Sequence, residues 1–379
     1  MKTFTATLAF YLFALMTYGQ TTYKGLPLIK AKSAKADFRV GSDWVKGNWI
    51  ISPHIEFDSL IFPCHSNPEE FAFYTDSDSI SFLLPPGEIR KFYVSLNDTS
   101  YALTVVKGIK PQLLSFDTKM KKSEYAILYE QNDNNEYLDL LRVKYPFQHL
   151  IMDARSDSEK AFKILNWVHK QWKHDGNNEP KKNDAISILD EAREGKNFRC
   201  VEYGIVATAC LNAVGLKARV LGLMTKDVET TQSGAGHVLL EVYLNDLKKW
   251  VLLDGQWDAV PLLNNIPLNA VEFQKAIVEN YDDLIIRSSS GISKRHYVDW
   301  IYPYLYYFTI PLDNSEKPGS EVKKKEGKTH LMLVPLGAVK PSVFQIIHKI
   351  DYCLYTHSLS DFYAPPGMYA PPGIQKKPD

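Results

Sequence analysis

Two periodicities divide the chain. From Thr21 to about Ser115, apolar residues fall in short runs rich in aromatic and β-branched side chains: Phe71 to Thr75, Ser79 to Leu83, Lys91 to Leu96 and Tyr101 to Val106. Turn-forming residues separate the runs, at Asp76-Ser77-Asp78, Pro85-Pro86-Gly87 and Asn97-Asp98. Spacing this even predicts a small antiparallel β-sandwich. The region gathers no acid, base and nucleophile, so its role reads as binding or positioning.

Around Glu124 the period lengthens to that of helices. Tyr137 to Arg142 begins one. A second, capped by Ser158, places Ala161, Ile164, Leu165 and Val168 on one face and stops near Gly176. A third runs from Asp184, an N-cap residue, to Gly195, and a fourth from Cys200 to Val214, closed by Gly215. Strands follow at Ala218 to Leu223, His237 to Leu244 and Trp250 to Leu253, the last ending at Asp254. Helices first and an antiparallel meander second make this segment α+β. Beyond Pro261 the pattern predicts a helix over Ala270 to Val278. Aromatic strands are then predicted at Tyr297 to Ile310, Leu331 to Val334 and Val343 to Tyr355. A lysine-rich loop, Asn314 to Lys328, reads as a solvated excursion. The tail repeats Tyr-Ala-Pro-Pro-Gly at 363–367 and 369–373, which favours polyproline II.

Composition narrows the function classes. With 45% hydrophobic and 23% charged residues among 379, the chain is a folded, multi-domain protein. Lys+Arg and Asp+Glu are both 44, so no net field draws it to nucleic acid or an anionic membrane. It has no phosphate-binding glycine loop and no HExxH motif, and neither cofactor nor metal is expected. Met1-Lys2 followed by the apolar run Phe4 to Met16, with a small residue for cleavage at Gly19, has the layout of a signal peptide. The mature chain is thus expected to be periplasmic, on the cell surface or secreted. No later apolar run is long enough to span a bilayer. Of the four cysteines, Cys64 and Cys353 could equally form a disulfide or stay as two buried thiols.

The candidate chemistry centres on Cys200. At a helix N-terminus, unpaired N–H groups and the positive end of the dipole favour an anion, and the thiolate is the nucleophilic form. A base is needed beside it, and His237 opens a strand after the glycine-bearing loop Gln232 to Gly236. The imidazole needs an acceptor to fix its tautomer, and Asp254 ends the next strand. One hairpin brings His237 and Asp254 to the same sheet edge, with the register open by a residue or two. Cys210, ten residues on and roughly 15 Å along the helix, reads as core and cannot replace Cys200. Asp258 is the nearest competitor to Asp254. His174 reads as a helix-end cation, Arg199 and Glu202 equally well as residues flanking the nucleophile or as a surface pair, and Gln256 or Trp257 as candidates to line the cleft.

Between about Ala154 and Val260 the chain resembles the transglutaminase-like superfamily, which has a papain-like Cys-His-Asp core. The resemblance rests on Phe198-Arg199-Cys200-Val201-Glu202-Tyr203-Gly204, Asn212 to Val220, Gly236 to Tyr243, and Lys249-Trp250-Val251-Leu252-Leu253-Asp254-Gly255. It implies Cys200 as nucleophile, His237 as base and Asp254 as orienter. Val238-Leu239 replaces the Ala-Trp common after the histidine, and Gly255 replaces the proline common after the aspartate. The expected architecture is therefore α+β: a transglutaminase-like core over 116–280, an antiparallel β-sandwich over 21–115, a C-terminal β-rich region over 281–362, and a tail from 363. The expected activity is attack on peptide or side-chain amide bonds of a protein, peptide or glycan-linked peptide through an acyl-thioenzyme. The polar loop Thr225 to Gly234, without an aromatic residue to wall a lysine tunnel, tips the expectation toward hydrolysis over amine transfer. A binding protein that keeps the fold without catalysis is the alternative.

Overall fold

The computed structural model describes residues 21–65, 67–131 and 134–367, so the expected signal peptide and the second Tyr-Ala-Pro-Pro-Gly copy lie outside the described residues. The chain divides into two compact units, Met1–Lys110 and Pro111–Asp379. In the first, the runs read as strands are strands, in two sheets. One is antiparallel, in the order Asp43–Ile50, Lys35–Val40, Glu69–Tyr74, Ser79–Leu84. The other is mixed: Leu26–Ala31 runs parallel to Ile89–Leu96, and Asp58–Pro63 runs parallel to Ser100–Ile109. The antiparallel expectation fails at these two pairs because their partners are far apart in sequence and joined by crossovers, while spacing reveals only hairpin neighbours. Phe71, Phe73, Phe92, Val94 and Val106 are fully buried in this unit's core.

The second unit begins with four helices: α1 (Glu136–Lys144), α2 (Asp157–His169), α3 (Ala185–Arg193) and α4 (Cys200–Ala213). Ser156, and not Ser158, caps α2, accepting from the Glu159 N–H. Asp184 caps α3 through the Ser187 N–H. Gly215, at φ +86°, ends α4 in the left-handed region that side chains avoid. Val206, Ala207, Ala209, Cys210 and Leu211 are all fully buried, so the middle of α4 lies in the core, and the polar residues it carries, Glu202, Thr208 and Asn212, are buried too.

Six strands form the main sheet: β1 (Lys217–Met224), β2 (Gly236–Leu244), β3 (Lys249–Leu253), β4 (Tyr307–Pro311), β5 (His330–Leu333) and β6 (Cys353–Thr356), in the order β3-β2-β1-β4-β5-β6. Residues read as a C-terminal β-rich region thus extend the same sheet. The contact starts where Gly222 and Leu223 of β1 pair with Thr309 and Phe308 of β4. Two predicted strands are corrected. Tyr297 to Ile310 starts as a helix, α6 (Lys294–Ile301), capped by Ser293, before the turn Tyr302–Tyr304 and β4; α5 is Ala270–Glu279. Tyr297, Val298 and Ile301 recur at helical spacing on its buried face. Val343 to Tyr355 is broken into a small hairpin, Val343–Phe344 with His348–Lys349, before β6; Gln345 and Ile346 at positive φ turn the chain there. Among the described residues no helix is long and apolar enough to cross a membrane.

Candidate active site

Cys200 is the first residue of α4 and is half-buried. Two residues along, Glu202 is fully buried. Its carboxylate accepts from the Arg199 backbone N–H at 3.0 Å and pairs with the Arg199 guanidinium at 2.7 Å. Arg199 and Glu202 are therefore not a surface pair; they fix the start of the helix that Cys200 opens. Gly204 lies one turn further on. A Cβ there would sit 3.0 Å from the Leu239 carbonyl oxygen and 3.2 Å from Val238 Cγ1, so its absence lets α4 press directly on β2. Val238, in place of the expected Ala, takes part in that packing with its side chain, whereas Leu239, in place of the expected Trp, buries its side chain in the core that holds Trp250, Phe273 and Tyr297.

His237 is the second residue of β2, paired with Leu223 of β1. Leu240 pairs with Leu253 across β2 and β3, and extending that register puts Asp254 opposite Leu239. His237 and Asp254 are thus diagonal neighbours on one face of the sheet, within side-chain reach. His237 Nε2 and Asp254 Oδ2 are 2.9 Å apart, and both residues are buried. Nε2 is taken by the carboxylate, so Nδ1 is left for Cys200, whose side chain hydrogen-bonds the ring. Burial pulls the imidazole pKa down, but the Asp254 charge and hydrogen bond, followed by those of Cys200, outweigh it and raise the value to about 9. The ring thus lies between the Asp254 carboxylate and the Cys200 side chain. The three predicted residues converge.

Asp254 Oδ1 accepts from the backbone N–H groups of Gln256 at 3.0 Å and Trp257 at 3.3 Å, an Asx turn. The competitor Asp258 is engaged elsewhere: its Oδ2 accepts from Asn166 Nδ2, the Ser289 N–H and the Ser290 hydroxyl. Cys210 is buried, and burial pushes its thiol well above the ordinary range, which leaves it inert. Cys64 and Cys353 are also buried, and neither is in a disulfide. His174 is not a helix-end cation. It lies beyond the end of α2, bridged to Phe198, where burial and then repulsion from His237 push its pKa down. Gln256 and His174, with His169, Trp172, Asn197 and Tyr203, line a cavity of about 690 Å³. Neither Cys200 nor His237 is among its lining residues, so it adjoins the site without enclosing the reacting atoms.

Several residues at the site were not foreseen. Tyr297 of α6 donates its hydroxyl to Asp254 Oδ2 at 3.0 Å. The Trp300 ring meets the His237 ring edge to face, centroids 4.7 Å apart, and Tyr304 lies 6.0 Å away. Trp257 packs on Trp300 at 5.0 Å. The loop Thr225 to Gly234 is indeed free of aromatics, but α6 and the turn after it supply them from a distant stretch of sequence.

Residues 148–255 match the family model described as the transglutaminase-like superfamily. This segment belongs to that superfamily. The transglutaminase-like segment holds all three triad residues, whereas Tyr297, Trp300 and Tyr304 lie beyond its end. Among solved structures, a TGase is 20% identical over 33% of this chain and 34% of its own, with a TM-score of 0.24. A candidate cysteine protease from Cytophaga hutchinsonii is 12% identical over 68% of this chain and 82% of its own, with a TM-score of 0.27. Red sea bream transglutaminase is 12% identical over 58% and 45%, with a TM-score of 0.22. The chain thus spans about a third of the first of these structures. No curated protein matches it significantly.

Proposed function

We propose that the chain is a cysteine-dependent enzyme that opens peptide or side-chain amide bonds through an acyl-thioenzyme and releases the acyl group to water. The observation that carries this reading is the buried imidazole of His237, 2.9 Å from Asp254 and hydrogen-bonded on its other side to Cys200. The Cys200 thiolate attacks the carbonyl carbon. The first N–H groups of α4, which have no carbonyl partner within the helix, face the oxyanion that develops. His237 gives its proton to the departing amine, and the thioester forms. Neutral His237 then takes a proton from water, the hydroxide displaces sulfur, and acid and thiol are released.

Release to water is supported by the polar entry loop. Amine transfer is the second reading, favoured by the half-buried Trp257, Trp300 and Tyr304 around His237, which resemble an apolar wall for a lysine chain. Export to the periplasm, cell surface or medium is proposed from the sequence at 1–20. The test is incubation with peptide mixtures and a tagged primary amine, followed by mass spectrometry. Cys200-dependent cleavage without tagging is expected. Tagging of glutamine side chains without cleavage would replace hydrolysis by transfer, and neither product in wild type beyond a Cys200→Ala control would remove the enzymatic reading.

A further inference from the structure

Asp254 Oδ2 serves two donors. His237 Nε2 approaches it at 2.9 Å and the Tyr297 hydroxyl at 3.0 Å, while Oδ1 is held by two backbone N–H groups. Those backbone bonds already anchor the carboxylate, so the phenol is not needed to keep it in place. Tyr297 is fully buried, with its ring stacked on Phe273 at 6.1 Å and on Trp300 at 6.5 Å. A buried phenol beside a carboxylate stays protonated, so it is a permanent donor. Burial and then the Asp254 charge both act in that direction. A donor on a carboxylate oxygen draws charge from it and weakens its hold on any other proton.

We propose that Tyr297 is a positioning residue that acts through Asp254: by sharing Oδ2 with His237, its hydroxyl limits how tightly the imidazole keeps the proton it must give to the leaving group. This rests on the reading of Cys200, His237 and Asp254 as an acyl-transfer triad. The sharing matters because a general acid that holds its proton too tightly is a poor one. The other groups facing this pair are Cys200 and Tyr203 from α4, His174 from the loop after α2, and Tyr304 from the turn after α6. Of these, Cys200 bonds the imidazole, and Tyr203 gives its hydroxyl to the Trp172 carbonyl instead.

The experiment titrates His237 by NMR of ring-labelled histidine in full-length protein, assigned with His237→Gln, and follows cleavage against pH in parallel. Tyr297→Phe keeps the ring and removes only the donor. The His237 titration and the basic limb of activity should both move up, by about half a unit to one unit, with kcat falling and KM little changed. Replacing Tyr297 with 3-fluorotyrosine by nonsense suppression strengthens the donor and should move both the opposite way. It also keeps the idea testable if Tyr297→Phe fails to fold. No movement, or a downward movement in Tyr297→Phe, overturns the inference. The NMR titration needs no substrate, so a protein without activity would sink the proposed function while the His237 shift still decides whether Tyr297 acts on Asp254.

Discussion

Asp254→Asn, made in a Cys200→Ser background so that no sulfur bonds the ring, isolates what the buried pair contributes to folding. The amide can still accept from the Gln256 and Trp257 N–H groups through one oxygen, so the turn survives. What disappears is the charge facing His237. The imidazole has a value of about 9 in the fold against 6.5 in the open chain. Its raised value means that the stabilisation is complete below pH 6.5 and is lost as pH climbs through about 9. At about 1.4 kcal/mol per unit the whole shift is worth about 3 kcal/mol. Asp254 supplies the largest raising contributions, so roughly 2–3 kcal/mol should remain with serine at 200. In the asparagine variant only burial is left among the larger influences. Burial lowers the value, so its stability should hold or rise over the same window. Glu316, which burial raises to about 7, titrates in both proteins and cancels in the difference. Urea unfolding at about pH 6 and about pH 9.5 would measure this. Parallel pH dependence in the two proteins would refute an ion pair at this site.

Three further outcomes are expected. Near neutral pH iodoacetamide should alkylate Cys200 ahead of the buried Cys64, Cys210 and Cys353, and His237→Ala should slow it, as peptide mapping would show. Gly204→Ala should cost roughly 1–3 kcal/mol in urea unfolding and slow Cys200 alkylation, because the new Cβ pushes α4 off β2; an unchanged alkylation rate would mean that this contact does not place the nucleophile. N-terminal sequencing of the protein from its native host should begin near Gln20 or Thr21, and an intact Met1 would remove the export proposal.

The helices and hairpin around Cys200, His237 and Asp254 were legible because several local signals agree there. Asp184, Gly195 and Gly215 mark helix ends through their own local chemistry. The diagonal placement of Asp254 could not be read, since a hairpin register depends on turn geometry that period-two alternation leaves open. α6 was lost for a different reason. Tyr297 to Ile310 is crowded with aromatic and β-branched residues whose local preference is for strand, and only burial of Tyr297, Val298 and Ile301 on one face makes the helix win. The bond from Tyr297 to Asp254 joins residues that no spacing relates. The burial of Glu202 was left open because a carboxylate there carries no local sign that Arg199 will meet it in the interior.

The pairing of β1 with β4 makes the superfamily segment a poor cassette. Cut out at its own boundary, 148–255 would leave β1 with an open flank of N–H and C=O groups, the kind of edge along which chains stack into aggregates. Gly222 is already shaped for the neighbour that would be missing, since a Cβ there would lie 2.4 Å from Thr309 Oγ1. Shuffling Cys200 and His237 into another scaffold therefore means transplanting the later strands as well, and a recombinant fragment meant to keep this site intact should run through β6.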